Sequence, residues 1–154
     1  MLTDQEIRDI EAERQKYEDP RAAIVGALRI VQQQRRWVSD DSVRDLARLL
    51  GLDPAEVDTV ATFYNLIYRQ PVGRHVILIC DSVSCWIMGY NPLREALERQ
   101  LGIGMGETTT EDRFTLLPTA CIGACDQAPA MMVDEDLHVQ LTMERIAEIL
   151  AQYP

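Results

Sequence analysis

Four cysteines are the residues of this 154-residue chain whose type and spacing most plainly carry chemistry. Cys80 and Cys85 form a C-x4-C pair, and Cys121 and Cys125, in the same half of the chain, form a C-x3-C pair. Each pair begins where an apolar stretch ends: His75 to Ile79 runs into Cys80, and Phe114 to Ala120 runs into Cys121. In open α/β sheets ligands collect beyond the carboxyl ends of strands, so the two loops are expected to face one point. Four thiolates gathered there form a metal site by number and by type. Structural zinc and iron–sulfur clusters are the two chemistries that use such a set, and spacing alone leaves both open. Gly123 lies inside the second pair and Gly89 shortly after the first. Glycine lets a tight loop take positive φ and turn backbone N–H groups toward sulfur, contacts that help set a cluster's reduction potential. Trp86 and Ile87 follow Cys85 and are expected to shield the site or to pack in the core.

Competing chemistries find less support. Thiol–disulfide catalysis needs an attacking and a resolving thiol, typically as C-x-x-C at a helix start, and neither pair has that spacing. Gly102-Ile103-Gly104-Met105-Gly106 has one residue between its last two glycines where a dinucleotide fingerprint needs two, and a helical pattern precedes it rather than a strand. Nucleotide cofactors are therefore expected on another chain. His75 and His138 sit in apolar strand patterns and read as structural, and no ligand position is a histidine, as a Rieske site would require. Glu111-Asp112 and the turn at Asp134 read as solvated loops.

The charge balance narrows the partners. Asp and Glu number 25 against 15 Lys and Arg, a formal net charge of -10. Phosphate contacts need clustered positive charge, so neither nucleic acid nor an anionic membrane surface is an expected partner. No apolar run reaches the roughly 18 residues of a membrane span, and the first residues lack a basic-then-apolar secretory pattern. The expected location is the cytoplasm. Lys16 is the single lysine among the basic residues, and the arginines suit buried interfaces, as they also suit codon bias.

The elements that must position the cysteines follow from periodicity. Residues 1–73 read as helices. Thr3 and Glu6 form a capping box for a first helix running to about Glu18, and Asp19-Pro20 restarts the pattern. Ile24, Ala27, Leu28 and Val31 mark a second buried face. Ser39 caps a third helix with Val43, Leu46, Ala47 and Leu50 inward, closed by Gly51; Asp53-Pro54 opens a fourth with Val57, Val60, Ala61 and Tyr64. Gln70-Pro71-Val72-Gly73 breaks the pattern. Residues 74–154 then read as a small sheet domain: a strand at His75–Ile79, a helix capped by Asn91, and a strand from Phe114 interrupted by Pro118. Two short strands follow, at Met131–Val133 and His138–Leu141, before a helix capped by Thr142. The fold class is α+β, a helical region followed by a sheet domain.

These residues also carry a family resemblance. Cys80-Asp-Ser-Val-Ser-Cys85-Trp-Ile-Met-Gly89 and Cys121-Ile-Gly-Ala-Cys125-Asp-Gln-Ala-Pro129 resemble the two ligand loops of the thioredoxin-like [2Fe–2S] ferredoxins. The likeness is narrower still to the NuoE-type members of that family, found in bacterial NADH:quinone oxidoreductase, respiratory complex I. It extends through Tyr17 to Ala23, Val60 to Tyr64, Gln70 to His75, Gly106 to Thr109 and the turn from Met132 to Asp136. The resemblance implies that Cys80, Cys85, Cys121 and Cys125 ligate one [2Fe–2S] cluster in a thioredoxin-like domain over residues 74–154, behind a helical domain over residues 1–73.

It further implies a partner flavoprotein that binds NADH and FMN, with a large iron–sulfur subunit nearby. The cluster would exchange single electrons with FMN, holding one briefly and limiting leakage to oxygen. The chain would be one subunit of an oxidoreductase, without a complete active site of its own, peripheral on the cytoplasmic face of the inner membrane through the assembled complex. The helical domain would dock the flavoprotein. Closely similar subunits serve NAD-dependent formate dehydrogenases and NAD-linked hydrogenases. Residues 1–73 hold 13 acidic and 10 basic side chains, whereas residues 74–154 hold 12 and 5. An anionic cluster in so acidic a domain is expected to have a low potential.

Overall fold

A computed structural model describes all 154 residues. The chain divides into two compact units, Met1–Pro71 and Val72–Pro154.

The first unit is helical: α1 (Asp4–Arg14), α2 (Ile24–Arg35), α3 (Asp40–Leu50) and α4 (Pro54–Phe63), with a 3-10 turn over Pro20–Ala23. Thr3 and Glu6 make the expected capping box: Glu6 N–H donates to Thr3 Oγ1 at 3.2 Å, and Thr3 N–H donates to Glu6 Oε2 at 2.7 Å. α1 stops at Arg14 instead of Glu18. Beyond Ile10 the helix has no further side chain to bury, and a short helix without a packed face frays. Ser39 and Asp53 cap α3 and α4 as expected, and Gly51 closes α3 at φ 70°. Ile10, Leu28, Val31, Leu46 and Val57, all fully buried, form the core of this unit.

One charged pair crosses that core's edge. Glu6 is fully buried, and Arg35 at the end of α2 grips both its oxygens at 2.6 Å. Burial pushes the Glu6 carboxyl up, but Arg35 and the Thr3 contacts outweigh it and hold the group below its ordinary 4.5.

The second unit carries a four-stranded sheet in the order β2-β1-β3-β4. Its elements are β1 (His75–Cys80), α5 (Val83–Ile87), α6 (Tyr90–Leu101), β2 (Phe114–Thr119), β3 (Met131–Val133), β4 (Asp136–His138) and α7 (Met143–Leu150). The mixture of helices with a small sheet is the expected α+β class. β1 pairs parallel with β2 and antiparallel with β3. Ile77 and Ile79 from β1 pack with Leu93 and Leu97 from α6, Phe114 and Leu116 from β2, and Ile146 and Ile149 from α7. Each fully buried Ile or Leu contributes about 2 kcal/mol by removing apolar surface from water.

Several local expectations shift. Pro118 stands near the end of β2 as expected, and β2 closes at Thr119, one residue before Ala120; β2 is an edge strand, where a missing N–H is tolerated. α6 starts at Tyr90 with Gly89 as its cap at φ 119°, not with Asn91. β4 spans Asp136–His138 instead of His138–Leu141, since Gln140 turns to φ 49° and its N–H pairs with Gln127 O. Asp134 is more than a solvated turn: it accepts from Val76 N–H at 2.9 Å and meets His75 Nδ1 at 2.7 Å, tying the β3–β4 turn to the start of β1. His75 and His138 are structural as expected, the latter held by Tyr153 Oη at 2.8 Å.

The Glu6–Arg35 pair yields a stability test. Arg35→Leu strands a buried carboxylate and should cost about 3 kcal/mol at neutral pH in denaturant unfolding followed by far-UV dichroism. Wild-type Glu6 contributes stability that is present above 4.5 and lost as pH falls through its lower native value. In the variant only the Thr3 contacts oppose burial, so the Glu6 pKa rises from its wild-type position and the variant's deficit should shrink on acidification. A deficit independent of pH would show that the pair does not act through Glu6 ionisation.

Candidate metal centre

The parallel pairing of β1 with β2 brings the two cysteine loops together. In its register Cys80 lies opposite Thr119, so both strands end at the same edge of the sheet. The chain holds that alignment past the strand ends, with Asp81 N–H donating to Thr119 O at 3.0 Å. Cys80 is the last residue of β1, and Cys85 sits in the one-and-a-half-turn helix α5. Cys121 follows β2 by two residues, and Cys125 opens a 3-10 turn over Cys125–Gln127.

All four thiols fall in one neighbourhood. Cys121 Sγ and Cys125 Sγ are 3.3 Å apart. Cys85 lies within hydrogen-bonding reach of Cys80 and feels the charge of Cys125, and Cys125 in turn feels Cys80. Cys80 and Cys85 are buried among Ala124 and Ala130, with Ile122, Ala128 and Val139 around them. Cys121 and Cys125 face outward.

Hydrogen bonds sort the sulfurs further. Gly123, at φ 86°, turns its N–H onto Cys121 Sγ at 3.4 Å. The Ala130 main chain lowers the Cys85 thiol in part, and the Ser84 hydroxyl lowers the Cys125 thiol in part. Burial first, then the neighbouring Cys80, push the Cys85 thiol up to about 11, with Ala130 offsetting part of it. The Gly123 N–H is the main reason the Cys121 thiol is lowered; the adjacent Cys121 is the main reason the Cys125 thiol is raised.

This donor set fits a dinuclear centre. The thiols group two by two, Cys80 near Cys85 and Cys121 near Cys125, which suits a [2Fe–2S] cluster with two thiolates on each iron. A centre bound here must overcome the cost of ionising Cys85, as coordination by a cationic metal does outright.

Residues 10–154 match the profile of the thioredoxin-like [2Fe–2S] ferredoxins. The chain belongs to that family. Among curated relatives, the NADH-quinone oxidoreductase E subunit of Escherichia coli strain K12 is 56% identical over 144 residues, covering 94% of this chain and 87% of the relative. Its namesake from Pseudomonas aeruginosa is 48% identical over 153 residues, covering 99% and 92%. Among solved structures, the NAD+-reducing [NiFe]-hydrogenase in its air-oxidized state superposes with a TM-score of 0.72 at 28% identity. That match covers 85% of this chain, which spans 23% of the hydrogenase chain. The cofactor of this ferredoxin is one [2Fe–2S] cluster.

Three features of the site differ from expectation or were absent from it. Trp86 and Ile87 do not join the core; they are 59% and 70% exposed. Gly89 caps α6 and sends its N–H to Trp86 O rather than to sulfur. Ser84 and Ala130 were missed as groups acting on the thiols. A hydroxyl between two candidate ligands was the available signal for Ser84, whereas nothing in the sequence marks a main-chain group such as that of Ala130.

Gly123→Ala tests the second loop. An L side chain at φ 86° is strained whatever the space around it, at roughly 1–2 kcal/mol, and relief swings the N–H off Cys121. The expected outcome is a ferredoxin with unchanged helical dichroism and reduced iron content per chain. Full iron occupancy in the variant would remove the loop's assigned role.

Proposed function

We propose that Cys80, Cys85, Cys121 and Cys125 ligate the cluster, and that this chain is the electron-transfer subunit of the NADH dehydrogenase module of NADH:quinone oxidoreductase. The observation that carries the reading is the convergence of both cysteine loops at one edge of the β1–β2 pair. Sequence identity of 56% to the E subunit of that enzyme, against 28% to the hydrogenase, favours the respiratory complex over an NAD-linked hydrogenase.

When bound, a [2Fe–2S] cluster supplies reversible one-electron uptake. The protein's own residues do the rest. Cys80 and Cys85 anchor the inner side from β1 and α5, where Ala124 and Ala130 exclude water. Cys121 and Cys125 hold the outer side, where an electron has the shortest path to a partner. The Gly123 N–H stabilises anionic sulfur without adding net charge.

The partner in this reading is the flavoprotein subunit that binds NADH and FMN, with the large iron–sulfur subunit of the same module alongside. Residues 74–154 form the ferredoxin domain, and the helical domain of residues 1–73 docks the flavoprotein. No helix is long and apolar enough to cross a membrane. Attachment to the cytoplasmic face of the inner membrane then comes through the assembled complex.

The full chain, reconstituted with iron and sulfide, should be coloured and should give a rhombic EPR signal after dithionite reduction. Cys85→Ser, which removes a buried sulfur donor, should lose that signal and most of the iron. Mixed with the flavoprotein subunit, the loaded chain should be reduced by NADH only when that subunit is present. A colourless chain holding zinc without iron would overturn the ligand assignment.

A further inference from the structure

The short helix α5 leaves an apolar face uncovered. Val83, Trp86 and Ile87 stand at i, i+3 and i+4, the spacing that puts three side chains on one side of a helix. These three and the following Met88 are each more than half exposed, whereas Cys85 points the other way and is buried. Trp86 N–H donates to Ser82 O at 2.8 Å and Met88 N–H to Ser84 O at 3.0 Å. Cys85 roots the helix in the apolar pocket around Ala124 and Ala130. The face is therefore held in a fixed shape, one residue away from a candidate ligand.

Charge decides what can cover it. Residues 76–93 and 114–137, which carry α5 and all four cysteines, contain no Lys, Arg or His. Asp81 and Asp126, each beside a cysteine and both exposed, add negative charge. The first basic side chain after α5 is Arg94 in α6, and it is only partly exposed. A second copy of this chain would set acid against acid and one anionic centre against another, which association disfavours. An anionic membrane surface is repelled for the same reason. The complement of this surface is an apolar patch with a basic rim.

We propose that the α5 face docks the ferredoxin domain onto the NADH- and FMN-binding flavoprotein subunit, against an apolar patch rimmed by Lys and Arg. This rests on the reading of the chain as the electron-transfer subunit beside that flavoprotein. It adds a second contact to the one assigned to the helical domain. A partner seated on α5 lies directly against a loop that holds the sulfurs. Trp86 is the anchor, because a large, rigid aromatic side chain at the middle of an interface carries a disproportionate share of its binding energy. The role is docking, and the face takes no part in holding the centre.

The experiment uses the full-length, cluster-loaded chain and the purified flavoprotein subunit. Wild type is compared with the double variant Trp86→Ser, Ile87→Ser, and with Leu137→Ser as a control that removes a similarly exposed apolar side chain from β4. Iron per chain and the EPR signal after dithionite reduction should be the same in all three. The double variant should bind the flavoprotein at least about tenfold more weakly, and NADH should reduce its centre correspondingly more slowly at limiting flavoprotein. Leu137→Ser should stay within about threefold of wild type. Raising the salt should slow wild-type association, since the rim charges become screened.

Equal binding by wild type and the double variant would overturn the proposal, as would an equal loss in Leu137→Ser. Loss of iron in Trp86→Ser and Ile87→Ser made singly would make the face part of the centre's housing and overturn docking as its role. A wild-type dimer in sedimentation that the double variant abolishes would make a second copy the occupant instead. Association indifferent to salt would overturn the basic rim. A wild-type chain that takes up no iron, or that NADH cannot reduce through the flavoprotein, overturns the functional reading and this inference together. A wild type that does both, with the double variant just as fast, removes only the inference.

Discussion

The site depends on one constraint, the parallel pairing of β1 with β2. Antiparallel strands joined by a hairpin would send Cys80 and Cys121 to opposite ends of the sheet. A parallel pair needs a crossover, and here α5 and α6 supply it. The crossover closes only because α6 buries Leu93 and Leu97 against the sheet. Register matters as much as direction. Cys80 opposite Thr119 leaves the first cysteine at the strand end and starts the second loop beside it. A slip of one residue would turn Cys80 to the other face.

That arrangement divides the labour among the thiols. Cys80 and Cys85 come from regular elements and are buried; Cys121 and Cys125 come from a loop and are exposed. Buried Cys85 is expensive to ionise, as its raised thiol shows. Of the exposed pair, Cys121 is lowered by the Gly123 N–H and Cys125 is raised by Cys121 beside it. A rigid half and an adjustable half suit a centre that changes charge by one electron without rearranging its frame.

Much of this was legible in the sequence, and the omissions have physical reasons. The cysteine spacing, the apolar runs leading into it and the turn glycine Gly123 are local signals, and each emerged where expected. The four main helices were likewise readable, because their stripes bury against one another. α5 was not, since Val83, Trp86, Ile87 and Met88 look like core residues yet are exposed. Periodicity reports which faces are apolar, not whether anything covers them. Asp134 was misread for a different reason: its partners, His75 and Val76, are distant in sequence and adjacent only through the β1–β3 pairing. The influence of Ser84 on Cys125 is also a product of topology, linking loops that sequence keeps far apart.

Topology also corrects the reading of charge. The acidic excess of the second half suggested a global brake on electron uptake, but its placement weakens that argument. Asp134 binds Val76 and His75, four and five residues from Cys80, roughly 13–16 Å along the strand. Glu107 and Asp112 likewise join the start of β2 and of β1, through Leu116 N–H to Glu107 O and Arg74 N–H to Asp112 O. At such separations in water a unit charge contributes about 0.3 kcal/mol before salt, and a Debye length of about 8 Å cuts that severalfold. A hydrogen bond to a charged sulfur is worth roughly 1.5–3 kcal/mol, unscreened because it is in contact. The Gly123 N–H on Cys121 thus outweighs the far acidic end of the sheet. Of the acidic residues in this unit, Asp81 and Asp126 are the ones that flank ligands directly, each beside a cysteine. The potential is therefore a property of the first few ångströms around the thiolates, and the net charge of the chain is a poor guide to it.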